Sequence, residues 1–367
     1  MVKVIATVGA SLFTNYLDGN RDIGTHYNYI TDKPFKEHHD LKERIEQIKK
    51  RVTPWADKNI EASAEIKSLW KIHESLKEPL DIYLIATDTV VSALAADIIK
   101  TWFEEKPGFT VHFKDTDVIL GLQVKNYQQF VQKGLPGLVE RIEEITANHY
   151  GEVIFNIAGG YKGVIPYMTV MALINNWCIY YIFEGSQTVI KIPRVPIKID
   201  YNIFEKYSDE ITMLHDVIEN YSQIKSNNYQ AYTTLEENGL VETIDGMAFL
   251  SPLGLIFNEK YRRKFFNFYC TEKVWAEIQA QKDIIRIIKD KFARAIHKNK
   301  TETKGVHTVF DDGNNPNRIY YFQHEGGIYI YKTFQNEEAA KKFIDSSFNK
   351  EEIIKNAKMR RLGLKNV

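Results

Sequence analysis

The sequence predicts an α/β protein: a Rossmann-like domain built on a parallel sheet, then a winged helix-turn-helix domain, then a small α+β unit with an antiparallel sheet. Three observations carry this prediction. Apolar runs suited to strands buried on both faces alternate with helical stretches through the first half. A segment with two prolines, Ile190 to Asp200, interrupts that rhythm. Beyond it come a helical stretch with a tight Asp245-Gly246 turn, and then three aromatic strand-like runs.

In order, the first domain (1–197) opens with a strand over Lys3 to Gly9 and a long polar helical stretch from about Asp40 to Leu76. A strand over Leu80 to Thr87, a helix over Val90 to Phe103 and a short strand over Thr110 to Phe113 follow. A helix from Leu135 to Asn148, a strand within Glu152 to Gly160 and a helix from Val164 to Ile174 complete the pattern. The apolar run Val164 to Phe183 is long enough to suggest a membrane span, but Asn175 and Asn176 interrupt it with amides that would need partners in lipid. A buried helix, a turn and a buried strand are expected instead.

The second domain (201–260) reads as helix, helix and wing: helices through about Ile224 and from Tyr229 to Asn238-Gly239, then two short apolar runs around Asp245-Gly246. The third (263–348) opens with a strand running into a helix capped near Thr271, and a second helix covers Asp283 to His297. Strands over Gly305 to Asp311, Asn317 to Glu325 and Gly326 to Phe334 follow, with a helix near Glu337 to Ser346, in the order β-α-α-β-β-β. Residues 349–367 read as a basic tail.

At 367 residues, 44% hydrophobic and 26% charged, the composition is that of an ordinary globular chain. Two cysteines, Cys178 and Cys270, are too few for a disulfide framework or a thiolate metal site. No metal or cofactor, no membrane association and a cytoplasmic location are expected. The net charge of zero hides an asymmetry: residues 1–259 carry 25 Lys/Arg against 35 Asp/Glu, and residues 260–367 carry 23 against 13. The basic end is where a polyanion is expected.

Two glycine loops follow strands of the first domain. "TVGASLFTN" offers Gly9, Ser11, Thr14 and Asn15, and "NIAGGYKGV" offers Asn156, Gly159, Gly160, Tyr161 and Lys162. In an open parallel sheet such loops lie at the carboxyl ends of strands, where amides and helix N-termini hold phosphate. Each alone is as well explained by a plain turn. Neither a P-loop nor a G-x-G-x-x-G is present, so no NTPase or dinucleotide enzyme is supported.

The first domain resembles the CRISPR-associated Rossmann-fold (CARF) sensors, through "TVGAS" and "NIAGGYKG". The resemblance implies a homodimer that binds a cyclic oligoadenylate, with cyclic tetra-adenylate expected, through Gly9, Ser11, Thr14, Asn15, Asn156, Gly159, Gly160, Tyr161 and Lys162. Thr87 and Asp88 are weaker candidates. It also implies a possible ring cleavage at Ser11 and Lys162.

A metal-independent ribonuclease needs groups that activate a 2′-hydroxyl, stabilise the phosphorane and protonate the leaving oxygen. Lys300, Lys304, His307, Arg318 and Lys332, with Tyr329 and Tyr331, supply those types in the third domain. Tyrosines also favour strands for packing alone. From about Arg263 to Ser346 the chain resembles the RelE superfamily of ribosome-dependent mRNA interferases. "KFFNFYCTEKVWAEIQAQ" and "NRIYYFQHEGGIYIYKTF" carry the likeness. It implies mRNA and the ribosome as partners and Arg318 as phosphate clamp. His307 stands where a catalytic lysine often does, Asn317 replaces a tyrosine, and Gln335-Asn336 replace a basic pair. The HEPN nucleases found in other CARF proteins need an Arg followed by His at a wider spacing than Arg294 and His297 provide. The alternative is a ligand-responsive transcription regulator. Against it, the expected recognition helix carries Glu236 and Glu237 and no Lys or Arg, so specific DNA is not expected as a partner.

Overall fold

A computed structural model describes residues 1–123, 126–147, 149, 151–182, 186, 188–216, 219–294, 301–311, 316–325 and 327–364. By internal contacts the chain divides into two units, Met1–Asn258 and Glu259–Val367.

The first unit begins with β1 (Val2–Val8), α1 (Ser11–Gly19), α2 (Gly24–Ile30), α3 (Lys42–Asp57), α4 (Ala64–Leu76), β2 (Leu80–Thr87), α5 (Val90–Glu104), β3 (Phe109–His112) and β4 (Val118–Ile119). It continues with α6 (Tyr127–Gln129), α7 (Leu135–Thr146), β5 (Val153–Asn156), α8 (Ile165–Asn175), β6 (Cys178–Ile182) and β7 (Val189–Ile192). The sheet order is β3-β2-β1-β5-β6-β7, with β4 also on β2. All pairings are parallel except β6 with β7. The proline segment contributes only its first residues to the antiparallel edge strand β7, which stops at Ile192, and Pro193 and Pro196 follow outside any strand.

Alternate residues of the central strands enter two cores. Val4, Ala6, Ile82 and Leu84 pack with α1, α3, α4 and α5, while Ile5, Ile85 and Phe155 pack with α7 and α8 on the other face. Period-two alternation with both faces apolar is the reason these strands lie inside a covered sheet. The strand order reverses between β1 and β5, so the crevice at their carboxyl ends is the topological switch point.

The stretch from Asp40 to Leu76 is two helices rather than one. The chain turns between Asp57 and Ala64, and Ser63 restarts it by accepting a hydrogen bond from Ile66 N–H at 3.0 Å. The apolar run after Val164 breaks as expected: Asn176 ends α8 in the left-handed region at φ 58°, and β6 follows. No helix among the described residues is long and apolar enough to cross a membrane.

The same unit continues with α9 (Asn202–Lys206), α10 (Ser208–Asp216), β8 (Glu219–Asn220), α11 (Tyr221–Asn227), α12 (Tyr229–Glu237), β9 (Val241–Ile244), β10 (Met247–Leu250) and α13 (Pro252–Arg262), the last running across the junction. Its small sheet is ordered β8-β10-β9, and the β9–β10 hairpin turns on Asp245 and Gly246, both at positive φ. Phe249 and Ile256 share the core of α7 and α8.

The second unit holds β11 (Phe265–Cys270), α14 (Glu272–Gln279), α15 (Lys282–Asp290), β12 (Thr301–Lys304), β13 (His307–Asp311), β14 (Arg318–His324), β15 (Gly327–Phe334), α16 (Glu337–Phe343), α17 (Lys350–Asn356) and β16 (Lys358–Gly363). Its sheet runs β12-β13-β14-β15-β11-β16, antiparallel except for β11 with β15. Two strands exceed the expected order. β12 forms a hairpin with β13 across Gly305, at φ 61°. The stretch read as a tail forms α17 and then β16, which pairs with β11 from Phe265 to Cys270. Short polar strands such as Thr301–Lys304 and Lys358–Gly363 lack the apolar alternation that announces a strand, and the neighbouring backbone supplies what the pattern does not.

Candidate functional site

The two glycine loops meet at the switch point. β1 and β5 run in register from Lys3 opposite Val153 to Ala6 opposite Asn156, so the residues that follow each strand emerge side by side. Thr7 Oγ1 donates to the carbonyl of Gly159 at 2.6 Å. A Cβ on Gly9 would lie 2.8 Å from Gly160 N, and Gly160, at φ 90°, would bring one within 2.7 Å of Thr7 Cβ. Only glycine permits this approach.

Glu65, in the first turn of α4 and fully buried, fills the space between the loops. Its Oε1 accepts from Gly9 N–H at 2.7 Å and its Oε2 from the Ser11 hydroxyl at 2.9 Å, while Ser11 Oγ accepts from Ala64 N–H at 3.2 Å. A Cβ on Gly159 would sit 1.9 Å from Oε1, so the first glycine of the pair is required by this carboxylate. Sequence reasoning missed Glu65. An acid two residues past a serine cap is common for helix-dipole reasons alone, and nothing local points to a residue 54 positions away.

The other expected residues divide into exposed and structural ones. Thr14, Asn15 and Lys162 are exposed at the crevice, and Lys162 makes no ion pair among the described residues. Asn15 Nδ2 donates to the carbonyl of Ala62 at 3.2 Å and Thr14 Oγ1 to that of Ser11 at 3.1 Å. Tyr161 is half-buried, edge-on to Phe130. Asn156 is fully buried: its Nδ2 donates to Ser68 Oγ at 2.7 Å and its Oδ1 accepts from Ala158 N–H, so it shapes the loop from beneath. Asp88 accepts from the amides of Phe35 and Gly121, tying two loops together. Thr87 N–H donates to Ser92 Oγ, and its hydroxyl lies 3.2 Å from that of Thr89.

In the second unit the structure brings together two of the expected cations. Asp311 Oδ2 lies 2.9 Å from Arg318 Nε and 3.3 Å from Lys304 Nζ, and Lys304 also pairs with Glu302. Glu302 first, and Asp311 after it, hold the Lys304 ammonium above the ordinary lysine value. Arg318 is 7% exposed. Lys332 pairs instead with Glu277 of α14, at 3.0 Å to both oxygens. Lys300 lies outside the described residues.

His307 is fully buried, with Nδ1 2.9 Å from the Tyr331 hydroxyl and Nε2 2.9 Å from the carbonyl of Ser346. Rings of Tyr320, Phe343 and Phe348 surround it. Both nitrogens are engaged, which is the environment of a core histidine. Tyr320, Tyr329 and Tyr331 join one apolar cluster, and burial pushes the phenols of Tyr320 and Tyr331 upward, against release of a proton. A cavity of about 520 Å³ is lined by Asn317 and Gln335 with Arg286, Lys291, Asp283 and Asp290, and Arg318 is not among its lining residues. Among the described residues no His, Cys, Asp or Glu cluster could hold a metal ion.

Residues 60–195 match the family model of a CRISPR-associated protein, Cas_APE2256. That span runs from α4 and its Glu65 through β2, β5 and the late glycine loop, and ends just past β7, while β1 and the early glycine loop precede it. Among solved structures, Can2 from Sulfobacillus thermosulfidooxidans in complex with cyclic tetra-adenylate is similar at 10% identity over 96% of this chain and 83% of that one, with a TM-score of 0.24. So loose a superposition says nothing of fold or ligand. Among curated proteins none matches the chain.

Proposed function

We propose that the first unit is a CARF-type sensor of cyclic oligoadenylate, expected to be cyclic tetra-adenylate, and that the second is a RelE-like, metal-independent endoribonuclease that the ligand switches on. The observation that carries the sensor reading is the junction of Thr7, Gly9, Gly159 and Gly160 at the β1/β5 switch point, with Lys162 exposed beside it. The match of residues 60–195 to a CRISPR-associated family supports the same biological setting. Within a homodimer, two such crevices would face one ring.

The effector reading rests on the basic composition after residue 259 and on Arg318 with Lys304 converging on Asp311. In the proposed reaction an RNA 2′-oxygen attacks its own phosphorus, the 5′-oxygen leaves with a proton, and a 2′,3′-cyclic phosphate results. Arg318 stabilises the charge on the phosphorane. His307, with both nitrogens engaged in the core, is left out of this chemistry. Residues 201–260, with their helices, three-stranded sheet and β9–β10 hairpin, act as a winged-helix connector between sensing and cutting. Ring cleavage by Ser11 and Lys162 is a secondary activity of the sensor in this proposal.

The test is to incubate the chain with each cyclic oligoadenylate, with naked RNA and with translating ribosomes. Cleavage that needs one ring and is lost in Arg318→Ala supports the reading. Cleavage indifferent to every ring, or intact in that variant, overturns it.

A further inference from the structure

We infer that Glu65 is an internal anion that occupies the phosphate cradle and must be displaced by the ligand. The inference rests on the sensor reading of this crevice, and it changes what that reading asks of the site. The donors expected to meet a ligand phosphate are the Gly9 amide and the Ser11 hydroxyl, and both already point at the Glu65 carboxylate, at 2.7 and 2.9 Å. The carboxylate is fully buried, and no Lys, Arg or His pairs with it among the described residues. A buried carboxylate without a cation persists where N–H and O–H donors hold it; here the donors sit just before and at the start of α1, and Glu65 itself lies in the first turn of α4, where the helix dipole favours negative charge. The missing side chain of Gly159 leaves room for it.

A phosphate cannot share these two donors with a carboxylate, because the two anions would lie within a few ångströms of each other in a dry crevice. Binding therefore exchanges one anion for the other. Glu65 belongs to the first turn of α4, and the same helix reaches Asn156 through Ser68, so the exchange pulls on the helix that lies under both loops. Glu65 sets a threshold for the ligand and links its arrival to α4.

Glu65→Gln keeps the shape of the side chain and removes the charge. The full chain, wild type and variant, is titrated with each cyclic oligoadenylate and, separately, with inorganic phosphate, reading binding by calorimetry and by the shift in melting temperature. The variant is expected to bind each anion about 10-fold or more tighter, the scale of one charge-assisted hydrogen bond released to the ligand. Tighter phosphate binding by the variant, with no binding of any cyclic oligoadenylate by either protein, keeps the inference and sinks the sensor reading. Equal or weaker binding of both anions by a variant that melts as a folded protein overturns the inference. If Glu65→Gln does not fold, Glu65→Asp, whose shorter carboxylate retreats from Gly9, is titrated in the same way and is expected to gain in the same direction.

Discussion

Arg318 Nε lies 2.9 Å from Asp311 Oδ2, and the two residues face each other across the β13–β14 ladder. The pair is nearly buried, with side-chain exposures of 8% and 11%. The residue proposed as phosphate clamp is therefore aimed by a carboxylate one strand away. Asp311→Asn removes the charge that faces the guanidinium, and removing one member of a buried pair costs about 3 kcal/mol or more. Denaturant unfolding should show that loss, and RNA cleavage should fall with it.

Gly159→Ala places a methyl group 1.9 Å from Glu65 Oε1. The expected loss is about 2 kcal/mol, the scale of overpacking a tight site. The clash has a named partner, so Glu65→Ala in the same chain should recover most of the loss. A double-mutant cycle measured by thermal melting checks this, and strict additivity would place the clash elsewhere.

His307→Ala empties a buried site and strands the Tyr331 hydroxyl and the Ser346 carbonyl. Stability should drop by about 3 kcal/mol, from lost packing and unpaired polar groups together. Cleavage per folded molecule should stay within a few-fold of wild type, whereas Arg318→Ala should lower it by about 100-fold, as loss of a charge-stabilising donor does. A loss in His307→Ala equal to that in Arg318→Ala, at full folding, would return the imidazole to the chemistry.

Burial raises the Glu242 carboxyl above its ordinary value of 4.5. The folded form then holds its proton where the unfolded chain has released it. This group favours folding at low pH, and its contribution is lost as pH rises from about the unfolded value through the folded one. Glu242→Gln should stabilise the protein at neutral pH and flatten its stability profile above pH 4.5. Melting temperatures across that range measure both effects.

Much of the fold was legible because its signals are local. Alternating apolar runs gave the covered strands, Thr271 and Asn238-Gly239 marked helix ends, and Asp245-Gly246 marked a hairpin whose two turn residues both take positive φ. Residues with no local signal were missed for the same reason: β12 and β16 are polar, and only pairing with a neighbour's backbone makes them strands.

The sequence by itself determined the parallel sheet, its two glycine loops and the basic character of the last third, since periodicity, glycine and charge can be read without knowing where the chain goes. Tertiary structure alone decided what those loops hold. Gly9, Ser11 and Gly159 converge on Glu65, residues that stand far apart in the chain and meet because β1 and β5 pair and α4 packs beneath them. It also decided that Arg318 and Lys304 share Asp311 while Lys332 goes to Glu277. Like residue types in one stretch of sequence carry no information on which carboxylate each will find, because that depends on strand register and helix packing fixed only when the whole core closes.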